Sequence, residues 1–127
     1  MVDASEISLY ERLGRYDAIA EFVDDLLSRL HKDLELVVYW KGHSRNSLRS
    51  ERQLIVDYLC ETSGGPVYYR GRDMKEAHDG LDISEPDWSI FIKHFEDCLD
   101  SLDIHGKNRD DCMTIVERIE NVIVETS

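Results

Sequence analysis

The spacing of the apolar residues is the feature of this sequence that most restricts its fold. Two stripes recur at steps of three and four residues: Ile19, Val23, Leu26, Leu27 and Leu30, and Trp88, Phe91, Ile92, Phe95, Leu99 and Leu102. Each stripe would cover one face of an α-helix. No segment alternates apolar and polar residues over the length of a strand, and the chain has only two prolines in 127 residues. The pattern predicts an all-α protein, and the length suits a single domain.

Capping residues and glycines predict where the helices begin and end. Ser8 and Glu11 form a capping box for a short first helix that ends near Gly14, and Asp73 and Glu76 form a second capping pair. Ser84 begins a long helix in the second half of the chain. The predicted helices lie at 8–14, from about 17, at about 46–60, at 73–80, from 84 and at about 110–124. The run LELVVYW at 34–40 is too brief for a long helix, and we expect its two aromatic side chains to pack into the core.

Charge and composition narrow the function classes. The formal net charge of −12 argues against a nucleic-acid partner. No run of about 18 apolar residues is present to span a membrane, and the first residues lack the pattern of a signal peptide, so we expect a cytoplasmic protein. Three cysteines without a CxxC pair indicate reduced thiols. The segment 41–75 carries a local net charge of +3, which is typical either of a small anionic ligand or of chance clustering.

The predicted helix at 46–60 has two different faces. One is an ordinary apolar stripe of Leu48, Ile55 and Leu59; the other is polar at its start and apolar at its end: Arg49, Gln53, Val56 and Cys60. A buried glutamine without a partner costs about 1–3 kcal/mol. Gln53 therefore either meets a partner along this stripe or lies at the edge and faces water.

A short predicted helix carries His78, with Met74 one turn before it and Ile83 just after a glycine. Such a histidine is either a capped surface residue or a ligand. The segment GGPVYYRGRDMKEAHDGLDIS, together with SLYERLG, DAIAEFVDDLL and QLIVDYLC, resembles the truncated haemoglobin family, most closely its group I. The resemblance covers residues 8–124 and implies a 2-over-2 helical sandwich around haem b.

The resemblance also implies site residues. His78 would be the proximal ligand of the haem iron, with its second ring nitrogen hydrogen-bonded to an acceptor such as a backbone carbonyl. Gln53 would donate to bound O2 on the distal side, with Arg49 at the pocket entrance. The expected haem contacts are Trp40, Arg49, Arg52, Gln53, Val56, Arg72, Met74, Lys75, Ile83 and Trp88, and the expected distal pocket is Leu27, Arg49, Gln53 and Val56. One or more of the arginines or Lys75 would pair with the haem propionates.

Three positions depart from the family pattern. Trp40 lies where the family usually has a phenylalanine against the porphyrin. Leu27 lies where many group I members have a distal tyrosine, and the glycine pair after the first helix is reduced to Gly14-Arg15. One missing hydroxyl donor is worth roughly 1 kcal/mol, or about fivefold. We therefore expect faster O2 release than in relatives that carry the tyrosine.

The family function implied is binding, storage or transport of O2 and binding of other diatomic ligands such as NO and CO, by five-coordinate ferrous haem. An alternative is a nitric oxide dioxygenase served by a separate reductase, since 127 residues contain no flavin or nicotinamide fingerprint. A third reading from another class is an acidic helical interaction module without a cofactor.

Overall fold

The structure, a computed structural model, describes residues 7–78, 80–81 and 83–124. Within these residues it contains six α-helices, one short 3₁₀ helix and no β-strand. The α-helices are α1 (Leu9–Leu13), α2 (Arg15–Lys32), α3 (Arg45–Thr62), α4 (Met74–His78), α5 (Glu85–Ser101) and α6 (Gly106–Ile123), and the 3₁₀ helix is Val37–Trp40. The all-α prediction is confirmed.

Side-chain caps begin four of the helical segments. Ser8, Ser44, Asp73 and Ser84 each accept a hydrogen bond on a side-chain oxygen from the backbone N–H three residues further on, at 2.9–3.2 Å. Such caps satisfy N–H groups that have no partner inside the helix. The caps at residues 8, 73 and 84 were predicted, whereas the one at Ser44 was not.

Two helices begin earlier than the sequence indicated. Helix α2 starts at Arg15, directly after Gly14, and both residues have positive φ angles, 70° and 111°. Helix α6 starts at Gly106 instead of near residue 110. Its first turn is held by a contact that local sequence does not reveal: the Arg12 guanidinium donates to Asn108 at 2.8 Å and to Asp111 at 2.7 Å.

Helix α2 lies at the centre of the packing. It contacts α1, α3, α5 and the 3₁₀ helix, while α6 contacts α1 and α4. The largest side chains that are completely covered by protein are Leu99, Val23, Val56, Cys60 and Cys98. A mainly apolar cavity of about 280 Å³ lies among α1, α2, α5 and α6, with His78 outside its lining. None of the helices in the described part of the chain is both long and apolar enough to cross a bilayer.

The GGP segment joins α1 to the end of α3. The backbone N–H of Tyr10 donates to the Ser63 carbonyl at 2.9 Å, and the N–H of Gly65 donates to the Cys60 carbonyl at 2.8 Å. A Cβ atom at Gly65 would lie 2.5 Å from the Tyr10 ring, so only glycine allows this approach. This contact fixes where the loop that leads to α4 begins.

Candidate haem site

His78 is the last residue of α4 and its ring is held by its own helix. The Nδ1 atom lies 2.8 Å from the carbonyl oxygen of Met74, one turn earlier. A carbonyl only accepts hydrogen bonds, so Nδ1 carries the proton and Nε2 keeps the lone pair for a metal. This hydrogen bond is the one the sequence analysis expected, and it fixes both the tautomer and the direction of the ring.

The apolar side chains predicted to surround His78 fall into two kinds. Met74 and Ile83 are only partly buried and pack against the core, so each keeps some uncovered apolar surface. Trp88 is only 5% exposed and stacks on Phe91, with ring centroids 5.0 Å apart. Trp88 therefore belongs to the core, and its haem contact stays a prediction.

The side of α3 predicted to face the ligand makes a contact with α2. Val56 is 0% exposed, so protein atoms cover it on all sides, and its place in the distal pocket stays a prediction. Gln53 is exposed, and its amide donates to the Tyr16 hydroxyl and to the Asp57 carboxylate, both at 2.9 Å. The amide thus has partners other than the predicted ligand, and its distal role stays a prediction.

The basic residues expected at the propionates are of two kinds: one is paired with a carboxylate, and the others are exposed. Arg52 donates to both carboxylate oxygens of Asp24 on α2, at 2.5 and 3.0 Å, and this hydrogen bond is the main cause that lowers the pKa of Asp24. Arg52 is thus already paired. Arg49, Arg72 and Lys75 are exposed, so their side chains can reach an anionic group at the surface.

Trp40 and Leu27 lie where the sequence placed them relative to the core. Both are partly buried and pack against it. The Trp40 ring meets the His31 ring edge-on, with centroids 4.7 Å apart. His31 follows Leu27 by one helical turn, so the two side chains share a face of α2. The expectation that Tyr39 and Trp40 pack into the core holds for part of each side chain.

Sequence reasoning missed a polar group beside Trp40. On α3, one oxygen of Glu51 lies 2.8 Å from Nδ1 of His43, while the other oxygen is buried without a hydrogen-bond partner. The Nε2 atom of His31 is also buried without a partner. Burial lowers the pKa of His31, and the negative charge of Glu51 opposes that shift. The spacing could have indicated this position, because Glu51 lies one helical turn before the partly buried Ile55 and so shares its face of α3.

These residues fit a haem group. An imidazole with a fixed Nδ1–H supplies one nitrogen ligand, Met74, Ile83, Trp40 and Leu27 supply apolar surface, and the exposed cations supply charge for carboxylates. A small helical protein that presents one oriented histidine among apolar side chains has the architecture of a compact globin.

The comparison with known proteins gives the family. The chain belongs to the bacterial-like globins, whose family model matches residues 8–125. It is 27% identical over 115 residues to the group 1 truncated haemoglobin of Nostoc sp. (strain MUN 8820), which covers 91% of this chain and 92% of that protein. It is 28% identical over 96 residues to the group 1 truncated haemoglobin of Mycolicibacterium paratuberculosis, covering 76% of this chain and 68% of that protein.

Solved structures show the same fold. The truncated haemoglobin of Tetrahymena pyriformis in its Fe(III) form superposes with a TM-score of 0.83 at 20% identity, over 93% of this chain and 98% of that chain. The 2/2 haemoglobin of Synechococcus sp. PCC 7002, solved in the cyanomet state with covalently attached haem, also gives 0.83 at 20% identity and the same coverage. The fold is therefore the 2-over-2 helical sandwich of truncated haemoglobins, as the resemblance predicted.

Proposed function

We propose that this protein binds haem b through His78 and holds O2, and other diatomic ligands such as NO and CO, on the opposite face of the iron. The observation that carries the proposal is the 2.8 Å hydrogen bond from His78 Nδ1 to the Met74 carbonyl. It leaves Nε2 as the metal-binding nitrogen. It also makes the imidazole a better donor, because the N–H is engaged by an acceptor.

Bound haem would supply reversible coordination of a diatomic ligand; the chain supplies the surroundings. Met74 and Ile83 would cover the porphyrin on the histidine side, and Trp40 and Leu27 on the ligand side. Leu27 has no hydroxyl to donate to bound O2, so we expect release to be faster than in relatives with a tyrosine there. Arg49, Arg72 and Lys75 would pair with the propionates.

Storage or transport of O2 in the cytoplasm is the use that this site supports most directly. Nitric oxide dioxygenation with a separate reductase needs the same iron site and remains the alternative. The two are separated by measuring nitrate formation from nitric oxide over many turnovers with an added reductant. A protein that consumes one equivalent of nitric oxide and then stops is a binder.

The haem assignment is tested by replacing His78 with glycine. The wild-type chain, produced with ample haem, should be coloured and should give a five-coordinate ferrous spectrum without added gas. His78→Gly should lose that spectrum and regain it when imidazole is added, because free imidazole can occupy the space that the side chain leaves. The control is His105→Gly, since the His105 side chain is 79% exposed and should leave the spectrum unchanged. A wild-type protein that folds and stays colourless would support the cofactor-free acidic module instead.

A further inference from the structure

The turn between α2 and the 3₁₀ helix exposes several aliphatic side chains side by side. Of the eight large apolar residues that are exposed in the described part of the chain, three lie within five consecutive positions: Leu34, Val37 and Val38. Leu34 is 90% exposed and Val38 60%, whereas the other exposed aliphatic side chains are 37–42% exposed. Single apolar residues on a surface are ordinary, but a contiguous apolar patch marks a contact surface.

The backbone of this turn puts the three side chains on one face. The N–H of Val37 donates to the Asp33 carbonyl at 2.9 Å, so residues 33–37 form one helical turn. Residues three and four positions apart in such a turn are neighbours on its surface, which aligns Leu34 with Val37 and Val38. Leu36, between them, is buried and anchors the turn in the core. We call Leu34, Val37 and Val38 the aliphatic face.

Exposed cations flank the aliphatic face on both sides. Lys32 lies two residues before Leu34, Lys41 lies three residues after Val38, and Arg45 begins α3. The N–H of Lys41 donates to the Val38 carbonyl at 3.2 Å, which holds this residue directly beside the face. The lysine and arginine side chains that form ion pairs within the described ranges are others: Arg12, Arg29, Arg52, Lys107 and Arg109. The three flanking cations are therefore available to an anionic partner.

The acidic residues of this segment oppose the cations only in part. Asp33 lies 2.8 Å from Nε2 of His94, so its carboxylate is engaged inside the protein. Glu35 is the exposed acid of the turn. Three cations and one exposed acid give this surface a positive charge, while the whole chain has a formal net charge of −12. The charge of the surface is thus opposite in sign to that of the molecule that carries it.

A protein partner suits this surface poorly. A stable interface buries about 20–30 residues on each side, and the aliphatic face has three. A second copy of the chain would bring the same cations against one another in a twofold contact, and two acidic molecules repel each other. A lipid bilayer needs no matching shape, because aliphatic side chains enter the boundary between headgroups and acyl chains while long cationic side chains stay at the headgroups.

We propose that the aliphatic face, with Lys32, Lys41 and Arg45, docks this protein on the surface of a bilayer that contains anionic phospholipids. The aliphatic side chains enter the outer edge of the acyl region, and the cations meet the lipid phosphates. The contact is peripheral and reversible, since none of the helices in the described residues could cross a bilayer. The acidic remainder of the chain is repelled by the same lipids and so fixes the orientation. This inference goes beyond the proposed haem function and does not depend on it.

The size of each contribution follows from the chemistry of the side chain. Burying one leucine or valine strengthens partitioning at least about tenfold. Each lysine or arginine near an anionic surface adds a factor of about five. The negative charge of the whole chain opposes binding, and salt screens the attraction over about 10 Å at 0.1 M ionic strength. Binding should therefore be strongest at low ionic strength.

The test is flotation of the full chain, loaded with haem, with vesicles at low ionic strength. Wild type should float with vesicles of equal parts phosphatidylcholine and phosphatidylglycerol, should be released by added salt, and should stay behind with phosphatidylcholine alone. Leu34→Ser should lower the partition coefficient about tenfold and Lys41→Gln about fivefold. Circular dichroism shows that each variant is folded.

Two matched controls change the same residue types elsewhere on the surface. Val122→Ser replaces an aliphatic side chain that is 42% exposed on α6, and Lys93→Gln removes an exposed cation from α5. Both variants should partition like wild type, because neither residue belongs to the proposed surface. A general effect of surface hydrophobicity or net charge would instead weaken the controls as much as Leu34→Ser and Lys41→Gln, and would overturn the assignment.

The remaining outcomes are also decisive. Wild type that does not float with the anionic vesicles overturns the proposal, and equal flotation with phosphatidylcholine alone removes the role of the cations. A dimer in sedimentation experiments that Leu34→Ser abolishes would assign the aliphatic face to a second copy of the chain. Failure of the haem proposal is seen separately, as a colourless protein, and leaves the flotation result unaffected.

Discussion

Replacing Gln53 by leucine decides between two roles for this residue. In the structure its amide donates to the Tyr16 hydroxyl on α2 and to the Asp57 carboxylate one turn further along α3, both at 2.9 Å. The resemblance instead makes the same amide the donor to bound O2. The structural role predicts a loss of stability with little change in ligand release, and the resemblance predicts the reverse.

The expected loss of stability in Gln53→Leu can be estimated from the exposure of the side chain. Gln53 is exposed, so its bond to Tyr16 counts at the low end of the range for a neutral hydrogen bond, about 0.5 kcal/mol. The bond to Asp57 is a side-chain pair within one helix and contributes about 0.2–0.5 kcal/mol. Gln53→Leu should therefore lower the free energy of unfolding by about 1 kcal/mol. Loss of a donor to O2 would instead accelerate O2 release about fivefold.

The assays are urea unfolding and O2 release measured by rapid displacement with carbon monoxide. Tyr16→Phe removes only the bond between the helices, so the double variant with Gln53→Leu should lose less stability than the sum of the two single variants. We expect the O2 release rate of Gln53→Leu to stay within twofold of wild type. Release at least fivefold faster, with unchanged stability, would refute the structural argument and support the distal role.

Three further predictions concern stability, pH and thiol chemistry. Arg15→Gly should raise the free energy of unfolding by about 0.5 kcal/mol, or Tm by about 2 °C. The free energy gained by relieving the strained φ of 70° exceeds the conformational entropy that glycine adds to the unfolded chain. The hydrogen bond from His94 is the main cause that lowers the pKa of Asp33 below its usual 3.8. Asp33→Asn should therefore destabilise the protein by its full amount above pH 3.8. The difference in Tm between this variant and wild type should shrink as the pH falls through the lowered pKa of Asp33. All three thiols should resist a thiol reagent at pH 8 until the chain is unfolded, because burial raises their pKa values to about 11, 12 and 11: Cys60, Cys98 and Cys112.

The stability and pH predictions each have a matched control. Gly14→Ala should destabilise the chain by about 1–2 kcal/mol, since its φ is 111° and its Cβ would meet the Ala18 Cβ at 2.9 Å. Asp103→Asn should leave the pH profile of stability unchanged, because the Asp103 side chain is 94% exposed. Rapid labelling of a folded chain, or an unchanged Tm in Arg15→Gly, would contradict the corresponding argument.

Much of the fold could be predicted because its determinants are local. The three- and four-residue apolar spacing sets the long helices, and three of the four side-chain caps were readable from the sequence. The start of α6 was not readable. It depends on Arg12, nearly a hundred residues away in the chain, which binds Asn108 and Asp111. Contacts of that kind override local signals.

In the candidate site, too, local contacts could be predicted from the sequence and long-range packing could not. The hydrogen bond of His78 lies within one helical turn, so it could be anticipated from the sequence. The orientation of α3 could not, because both of its stripes have helical spacing and only packing against α2 decides which one is buried. Full burial of Val56 and the Gln53–Tyr16 bond show which face α2 covers.

The face of α3 that carries Glu51 also changes how the missing tyrosine should be interpreted. Leu27 removes a hydroxyl from α2, which by itself suggests a purely apolar ligand side. One turn further along the same face, however, His31 presents a buried nitrogen without a partner, and Glu51 presents a buried oxygen from the opposite helix. A hydroxyl at position 27 would stabilise a neutral bound ligand by donating a hydrogen bond. Leu27→Tyr should therefore slow O2 release about fivefold, which displacement of O2 by carbon monoxide in the variant and in wild type would measure.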